Sequence, residues 1–160
     1  MSNEQSDHKI GPTRTTWTHL ALHVKDIDKV AAWYEEFTHM SVLFRDEDEE
    51  GFAAWLGDKT QVDNPFILVL GQFNPGHDPF APAEHPALGP FAHIGIEVES
   101  RDRIDEIAAK AKEAGCLILG PQQMPKRIGY IAFVRDPEGN MVEFSHDQGV
   151  YEKAREIWGQ

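Results

Sequence analysis

The sequence predicts an α+β fold built from two similar βαβββ modules, and three observations support this prediction. The pattern of Thr18 to Phe37 returns at residues 92–111. Each copy opens with a histidine, His19 or His93, and continues with alternating apolar residues, which is typical of a half-buried strand. Apolar residues then recur at positions i, i+3, i+4 and i+7, as they do on one face of a helix. A repeated strand, turn and helix therefore organise the chain.

Length, charge and cysteine content limit the class of protein. A chain of 160 residues with 41% hydrophobic content can build one domain, or two small modules that share a core. Its formal net charge of -12 argues against a nucleic acid or an anionic membrane surface as a partner. Cys116 is the only cysteine, which excludes an intramolecular disulfide and a Cys-based zinc cluster and suits a reducing compartment.

The first sixteen residues are polar and lack the apolar core of a signal peptide, so we expect a flexible leader there. No apolar run in the sequence is long enough to span a bilayer. We therefore expect a cytoplasmic protein that does not bind a membrane.

The first module opens with a strand and a helix whose N-terminus Asp26 or Asp28 can cap. Short apolar runs then predict three further strands. These runs are Ser41–Phe44, Phe52–Leu56 and Phe66–Leu70. The next segment, residues 73–90, is rich in Pro and Gly and excludes a regular element. It is long for a connector and is predicted to be a lid, although a simple strap packed by Phe73 and Phe80 is an equal alternative.

The second module repeats this order. Asp102 is expected to cap its helix, and Gly115 to end it, because glycine readily adopts the left-handed conformation that follows many helices. A short C-terminal helix is expected to pack Ile157 and Trp158 on the body of the protein. The predicted organisation is a leader (1–16), module one (17–72), a linker or lid (73–90), module two (91–146) and a C-terminal helix (147–160).

Five polar residues stand out on the predicted strands. Because side chains alternate between the two faces of a strand, His19 and His23 share the face that points away from the helix. His93 and Glu97 share the equivalent face in module two. Glu143 interrupts an apolar run, where a buried carboxylate is costly unless it is paired or bound to a metal. Each residue alone is more often a packing or solvated residue, but two imidazoles and a carboxylate facing one cavity indicate a divalent metal site.

A family resemblance is carried by three stretches, HLALHVKDIDKVAAWY, AHIGIEVESRDRIDEIAAKAKEAG and FVRDPEGNMVEF. They resemble the vicinal oxygen chelate superfamily, which includes glyoxalases, bleomycin-resistance proteins and extradiol dioxygenases. The resemblance covers residues 16–146 and implies paired modules whose sheets curl around a metal cavity. The family's metal-ligand positions fall on His19, His93 and Glu143. A fourth position, used by many glyoxalase I enzymes and epimerases, would fall near Leu68, where leucine cannot ligate.

Several departures from the family patterns leave the reaction open. Three protein ligands resemble the extradiol dioxygenases and the fosfomycin-modifying transferases more than a standard glyoxalase I. The dioxygenase signature expects a Tyr in place of Phe133 and a His around residues 124–126, and neither is present. The fosfomycin enzymes expect a hydroxyl group at the place of Ala21. No subfamily therefore fits in full.

The resemblance implies an enzyme that holds one divalent ion, Fe²⁺, Mn²⁺, Zn²⁺ or Ni²⁺, and acts on a small substrate with vicinal oxygens. The favoured prediction is a glyoxalase-like lyase or isomerase in which the metal stabilises a developing oxyanion. Glu143 is assigned to the catalytic centre, and His23 or Glu97 is the predicted proton carrier. Solvation or a role in orienting the ligands is an equal alternative for both proton carriers.

Two other functions are compatible with the sequence. A non-haem Fe(II) extradiol-type dioxygenase would need ferrous iron and consume O₂. A metal-free antibiotic-binding protein would tolerate loss of the three ligands, although such members of the family usually lack the triad. We expect a homodimer, and the sequence leaves open whether the two modules pair within one chain or across the dimer.

Overall fold

The computed structural model describes residues 11–12, 14–125 and 128–159. Most of the predicted leader therefore lies outside the described residues. The elements in these ranges are β1 His19–His23, α1 Ile27–Phe37, β2 Ser41–Glu47, β3 Gly51–Gly57, β4 Ile67–Phe73, β5 Ile94–Glu97, α2 Arg101–Glu113, β6 Leu117–Gln123, β7 Tyr130–Arg135, β8 Met141–His146 and α3 Val150–Trp158. Both βαβββ units are present, which confirms the predicted α+β class.

Each module forms one open four-stranded mixed sheet. The strand orders are β1-β4-β3-β2 and β5-β8-β7-β6, so the two sheets have the same topology. The pairs β1 with β4 and β5 with β8 are parallel, and all other pairs within the sheets are antiparallel. The described strands form no closed barrel. The internal repeat found in the sequence is therefore a structural repeat.

One face of each sheet packs against the helix of its own module. The apolar faces of α1 and α2 are buried, and they join the inward-facing residues of both sheets in one continuous cluster. Burying a Leu, Ile, Val or Phe side chain stabilises the fold by about 1.5–3 kcal/mol each. The largest completely buried members of this cluster are Val24, Val30, Tyr34, Leu56, Leu70, Ile104, Val134, Val142 and Phe144. The opposite face of each sheet is left free of helix.

A buried hydrogen bond joins the two modules. The Tyr34 hydroxyl on α1 donates to Asp136 Oδ2 at 3.1 Å, in the turn between β7 and β8. The same carboxylate accepts hydrogen bonds from the Asn140 main chain and side chain, each at 2.8 Å. Burial and then the neighbouring carboxylate raise the pKa of Tyr34 far above its ordinary value, so the hydroxyl remains a donor. This turn therefore closes a hairpin and also anchors module two to α1.

The helix caps agree with the sequence in one module and differ in the other. Asp26 caps α1, where its carboxylate accepts the Lys29 main-chain N–H at 3.0 Å. The prediction that Asp102 caps α2 is wrong, because Ser100 accepts the Arg103 N–H at 3.2 Å and has the extended backbone of a cap. Asp102 lies in the first helical turn, where its charge still favours the positive end of the helix dipole.

The register of the parallel strands corrects the internal alignment. Ala21 pairs with Val69 in module one, and Gly95 pairs with Glu143 in module two. Because Ala21 and Gly95 follow the two leading histidines at the same distance, the counterpart of Glu143 is Val69 and not Leu68. Leu68 is only 2% exposed and faces the core. A shift of one residue exchanges the two faces of a strand, so the proposed fourth-ligand position at Leu68 was wrong.

The C-terminal helix does not pack as expected. None of its residues is buried, and Ile157 and Trp158 are 55% and 81% exposed. A cavity of about 1060 Å³ lies beside α3 and the segment that follows β8. Within the described ranges, no helix is long and apolar enough to cross a membrane.

Candidate metal centre

The structure brings His93 and Glu143 together on the free face of the second sheet. Glu143 lies in the middle of β8 and is 6% exposed. Its Oε2 atom is 3.6 Å from His93 Nε2. Its Oε1 atom accepts a hydrogen bond from the Gln148 side-chain amide at 2.5 Å. A carboxylate and an imidazole thus meet in a largely desolvated position, with one carboxylate oxygen already occupied.

Hydrogen bonding fixes the protonation pattern of His93. Its Nδ1 atom is 2.7 Å from the main-chain oxygen of Phe91, and a carbonyl only accepts, so Nδ1 carries the hydrogen. In the neutral ring, Nε2 then presents a lone pair toward Glu143. The Phe133 ring packs edge-on against the imidazole, with ring centres 5.3 Å apart, and limits its rotation. An imidazole nitrogen and a carboxylate oxygen are donor types that bind divalent metal ions, so these two atoms could supply two of the ligands that such an ion needs.

His19 lies apart from this pair. It is exposed on β1, and its Nδ1 atom is 2.9 Å from the Thr18 hydroxyl. In the part of the chain that the structure describes, no three His, Cys, Asp or Glu side chains are close enough together to hold a metal ion. Within one chain, His19 therefore does not meet His93 and Glu143, although all three lie on sheet faces that point away from the helices.

His23 is packed against the segment 73–90. Its ring stacks on that of His85, with centres 4.2 Å apart, and on Phe73 at 5.5 Å. Asp78 in the same segment has a carboxylate oxygen 2.8 Å from His85 Nε2. Burial lowers the pKa of His23, and the neighbouring His85 lowers it further, so the His23 ring is neutral at pH 7. The contact between His23 and His85 could not be predicted from the sequence, because strand periodicity carries no information on loop contacts.

Glu97 holds the chain segment that follows β8. Its Oε1 atom accepts the main-chain N–H of Gln148 at 3.2 Å. The side chain of Gln148 in turn contacts Glu143. This role of Gln148 could not be predicted from the sequence, since nothing in its local composition distinguishes it from any other polar loop residue.

Comparison with known proteins shows the family. The model of the Glyoxalase/Bleomycin resistance protein/Dioxygenase superfamily matches residues 16–144. The chain belongs to this superfamily. The family resemblance predicted from the sequence is thereby confirmed. An uncharacterized protein of Pseudomonas aeruginosa is 38% identical over 133 residues, which are 83% of this chain and 89% of that protein.

Three solved structures with different functions are similar to this chain in fold. A trypanothione-dependent glyoxalase I of Leishmania major has a TM-score of 0.61 and 22% identity, covering 89% of this chain and 94% of that one. A fosfomycin resistance protein of Listeria monocytogenes, solved with Mn(II), has a TM-score of 0.61 and 14% identity, and the match covers 88% of this chain and 97% of that one. An antibiotic-binding protein from Streptomyces has a TM-score of 0.59 and 20% identity, and the match covers 86% of this chain and 99% of that one. At these identities the likeness establishes the fold alone.

Proposed function

We propose that this superfamily member is a divalent-metal-dependent lyase or isomerase acting on a small substrate with vicinal oxygens. The observation that carries the proposal is the approach of His93 Nε2 to Oε2 of the buried Glu143 carboxylate, at 3.6 Å. His19 is the third ligand in this proposal. When bound, the ion would supply Lewis-acid stabilisation of a developing oxyanion on the substrate.

His19 would reach the other two ligands from a second copy of the chain. The free face of the first sheet, which carries His19, also carries Phe44 and Trp55, whose rings are in contact and which are 44% and 42% exposed. Exposed aromatic side chains on an uncovered sheet face are typical of a protein interface. A homodimer that packs this face against the free face of the second sheet would therefore complete two equivalent sites.

His23 is the better of the two candidate proton carriers. A general base has to be unprotonated at the working pH, and the lowered pKa of His23 meets this requirement. Glu97 is engaged by the Gln148 main chain and serves better as a structural anchor. Segment 73–90 packs on His23 through His85, which supports the proposal that it is a lid over this side of the site.

Metal analysis of His93→Ala tests the proposal. After loading with Zn²⁺, Ni²⁺, Mn²⁺ or Fe²⁺, we expect the variant to bind the ion at least about tenfold more weakly than the wild type, because a ligand is lost. His77→Ala is the matched control, since His77 is exposed in segment 73–90. Unchanged metal content in His93→Ala would refute the assignment.

The same metal-loaded proteins also distinguish the lyase from the two alternative functions. Formation of lactoylglutathione, or of a related thioester, with redox-neutral metals would support the lyase. Oxygen uptake on catechols with Fe²⁺ alone would favour the dioxygenase. Antibiotic binding that persists in His93→Ala, with no turnover by the wild type, would favour a binding protein.

A further inference from the structure

The three residues that follow β8 make an unusual turn beside Glu143. Asp147 has φ +64° and Gly149 has φ +71°, so a left-handed residue stands on each side of Gln148. A non-glycine residue in this region is uncommon and needs compensating contacts. The turn directs the half-buried Gln148 back toward the second sheet and away from solvent.

Gln148 links two carboxylates on neighbouring strands. Its main-chain N–H donates to Glu97 Oε1 on β5 at 3.2 Å. Its side-chain amide donates to Glu143 Oε1 on β8 at 2.5 Å. Glu97 therefore fixes where the backbone of Gln148 lies, and the amide fixes one oxygen of Glu143. The other oxygen of Glu143, Oε2, faces His93.

We infer that Gln148 is a positioning residue that occupies Glu143 Oε1 and leaves Oε2 for the metal ion. The inference rests on the proposed function, because it requires that Glu143 is a ligand. A buried carboxylate with both oxygens free can rotate or bind an ion in more than one way, and the fixed amide removes this freedom. Partners of this kind, hydrogen-bonded to a ligand, typically contribute 10–100-fold to metal affinity.

The main alternative is that Gln148 contacts the substrate and does not position Glu143. Gln148 also lines the cavity beside α3, so its side chain is within reach of a molecule bound there. A substrate contact would alter KM but would leave metal affinity unchanged when no substrate is present. Metal affinity of the substrate-free protein therefore distinguishes a positioning residue from a substrate-binding one.

The experiment compares metal affinity in variants of the full chain by competition with a chromophoric chelator, using Zn²⁺ and Co²⁺. We expect Gln148→Leu to bind about 10–100-fold more weakly, because the donor to Oε1 is lost. Gln61→Leu is the matched control at an exposed loop position and should bind like the wild type.

Two readouts keep the test decisive. The absorption spectrum of the Co²⁺ form should change in Gln148→Leu, since a freed Oε1 alters how the carboxylate binds. If that variant does not fold, Gln148→Asn, which keeps the amide but shortens its reach, should still weaken binding. Wild-type affinity and spectrum in a folded Gln148 variant would overturn this inference alone, provided that His93→Ala loses the metal. Absence of metal binding by the wild type would overturn both proposals.

Discussion

At the scale of single residues, the candidate site depends on which atom of each side chain already forms a hydrogen bond. The Phe91 carbonyl engages Nδ1 of His93, and the Gln148 amide engages Oε1 of Glu143. The two remaining atoms, Nε2 and Oε2, are the ones that face each other. Residue identity alone does not specify this selection, because either imidazole nitrogen and either carboxylate oxygen can bind a metal ion.

The strand register leads to an expectation for two neighbouring substitutions. Val69→Glu places a carboxylate at the counterpart of Glu143, on the face that carries His19, and we expect it to tighten metal binding. Leu68→Glu places the carboxylate in the core, and we expect it to destabilise the fold by at least about 2 kcal/mol. Metal titration and thermal unfolding of the two variants measure both effects. The reverse ranking would show that the register is misassigned.

At the scale of elements, the sequence predicted which face of a strand each side chain occupies, because this feature follows from hydrophobic periodicity. The alternation in β1 and β5 predicted correctly that the two leading histidines point away from the helices. Periodicity does not specify which residues pair between strands, so the predicted counterpart of Glu143, Leu68, was one residue away from the observed one, Val69. It also does not encode long-range contacts, so the separation of His19 from His93 and the contact of Gln148 with Glu143 were not predictable.

The contact between segment 73–90 and β1 should depend on pH. His23 faces His85, Asp78, Glu138 and Lys25, and burial is the largest cause of its lowered pKa. An open segment lets His23 take up a proton near its ordinary value of 6.5, whereas the packed form resists protonation. The packed form is therefore fully favoured above pH 6.5 and is weakened as the pH falls below it. The lowered pKa of Asp78 matters only at and below its ordinary value of 3.8.

Hydrogen exchange of segment 73–90 measures this effect. After correction for the intrinsic exchange rate, we expect protection to be lower at pH 5.5 than at pH 7.5 in the wild type. His23→Phe retains an aromatic ring against His85 but cannot titrate, so its protection should not change between these two values. An equal loss of protection in the variant would assign the pH dependence to another group.

At the scale of the whole molecule, the proposed site needs two copies of the chain, and a mixing experiment tests this requirement. His19→Ala and His93→Ala homodimers each lack one ligand in both sites. A mixed dimer would pair the intact His19 of one chain with the intact His93 of the other and restore one site. Random mixing should therefore recover about a quarter of the wild-type sites. No recovery after unfolding and refolding the two chains together would contradict a shared site.

The hydrogen bond between Tyr34 and Asp136 marks where the two repeats have diverged. By the offset between the two copies, the position in α2 that corresponds to Tyr34 is Ala108, which has no hydroxyl. Asp58 directly follows β3 as Asp136 directly follows β7, but the Asp58 carboxylate accepts hydrogen bonds from Thr60 within its own turn instead. A pair of two first modules would bury the Tyr34 hydroxyl without this acceptor. The buried contact that joins the two modules is therefore specific to the pairing of the first repeat with the second.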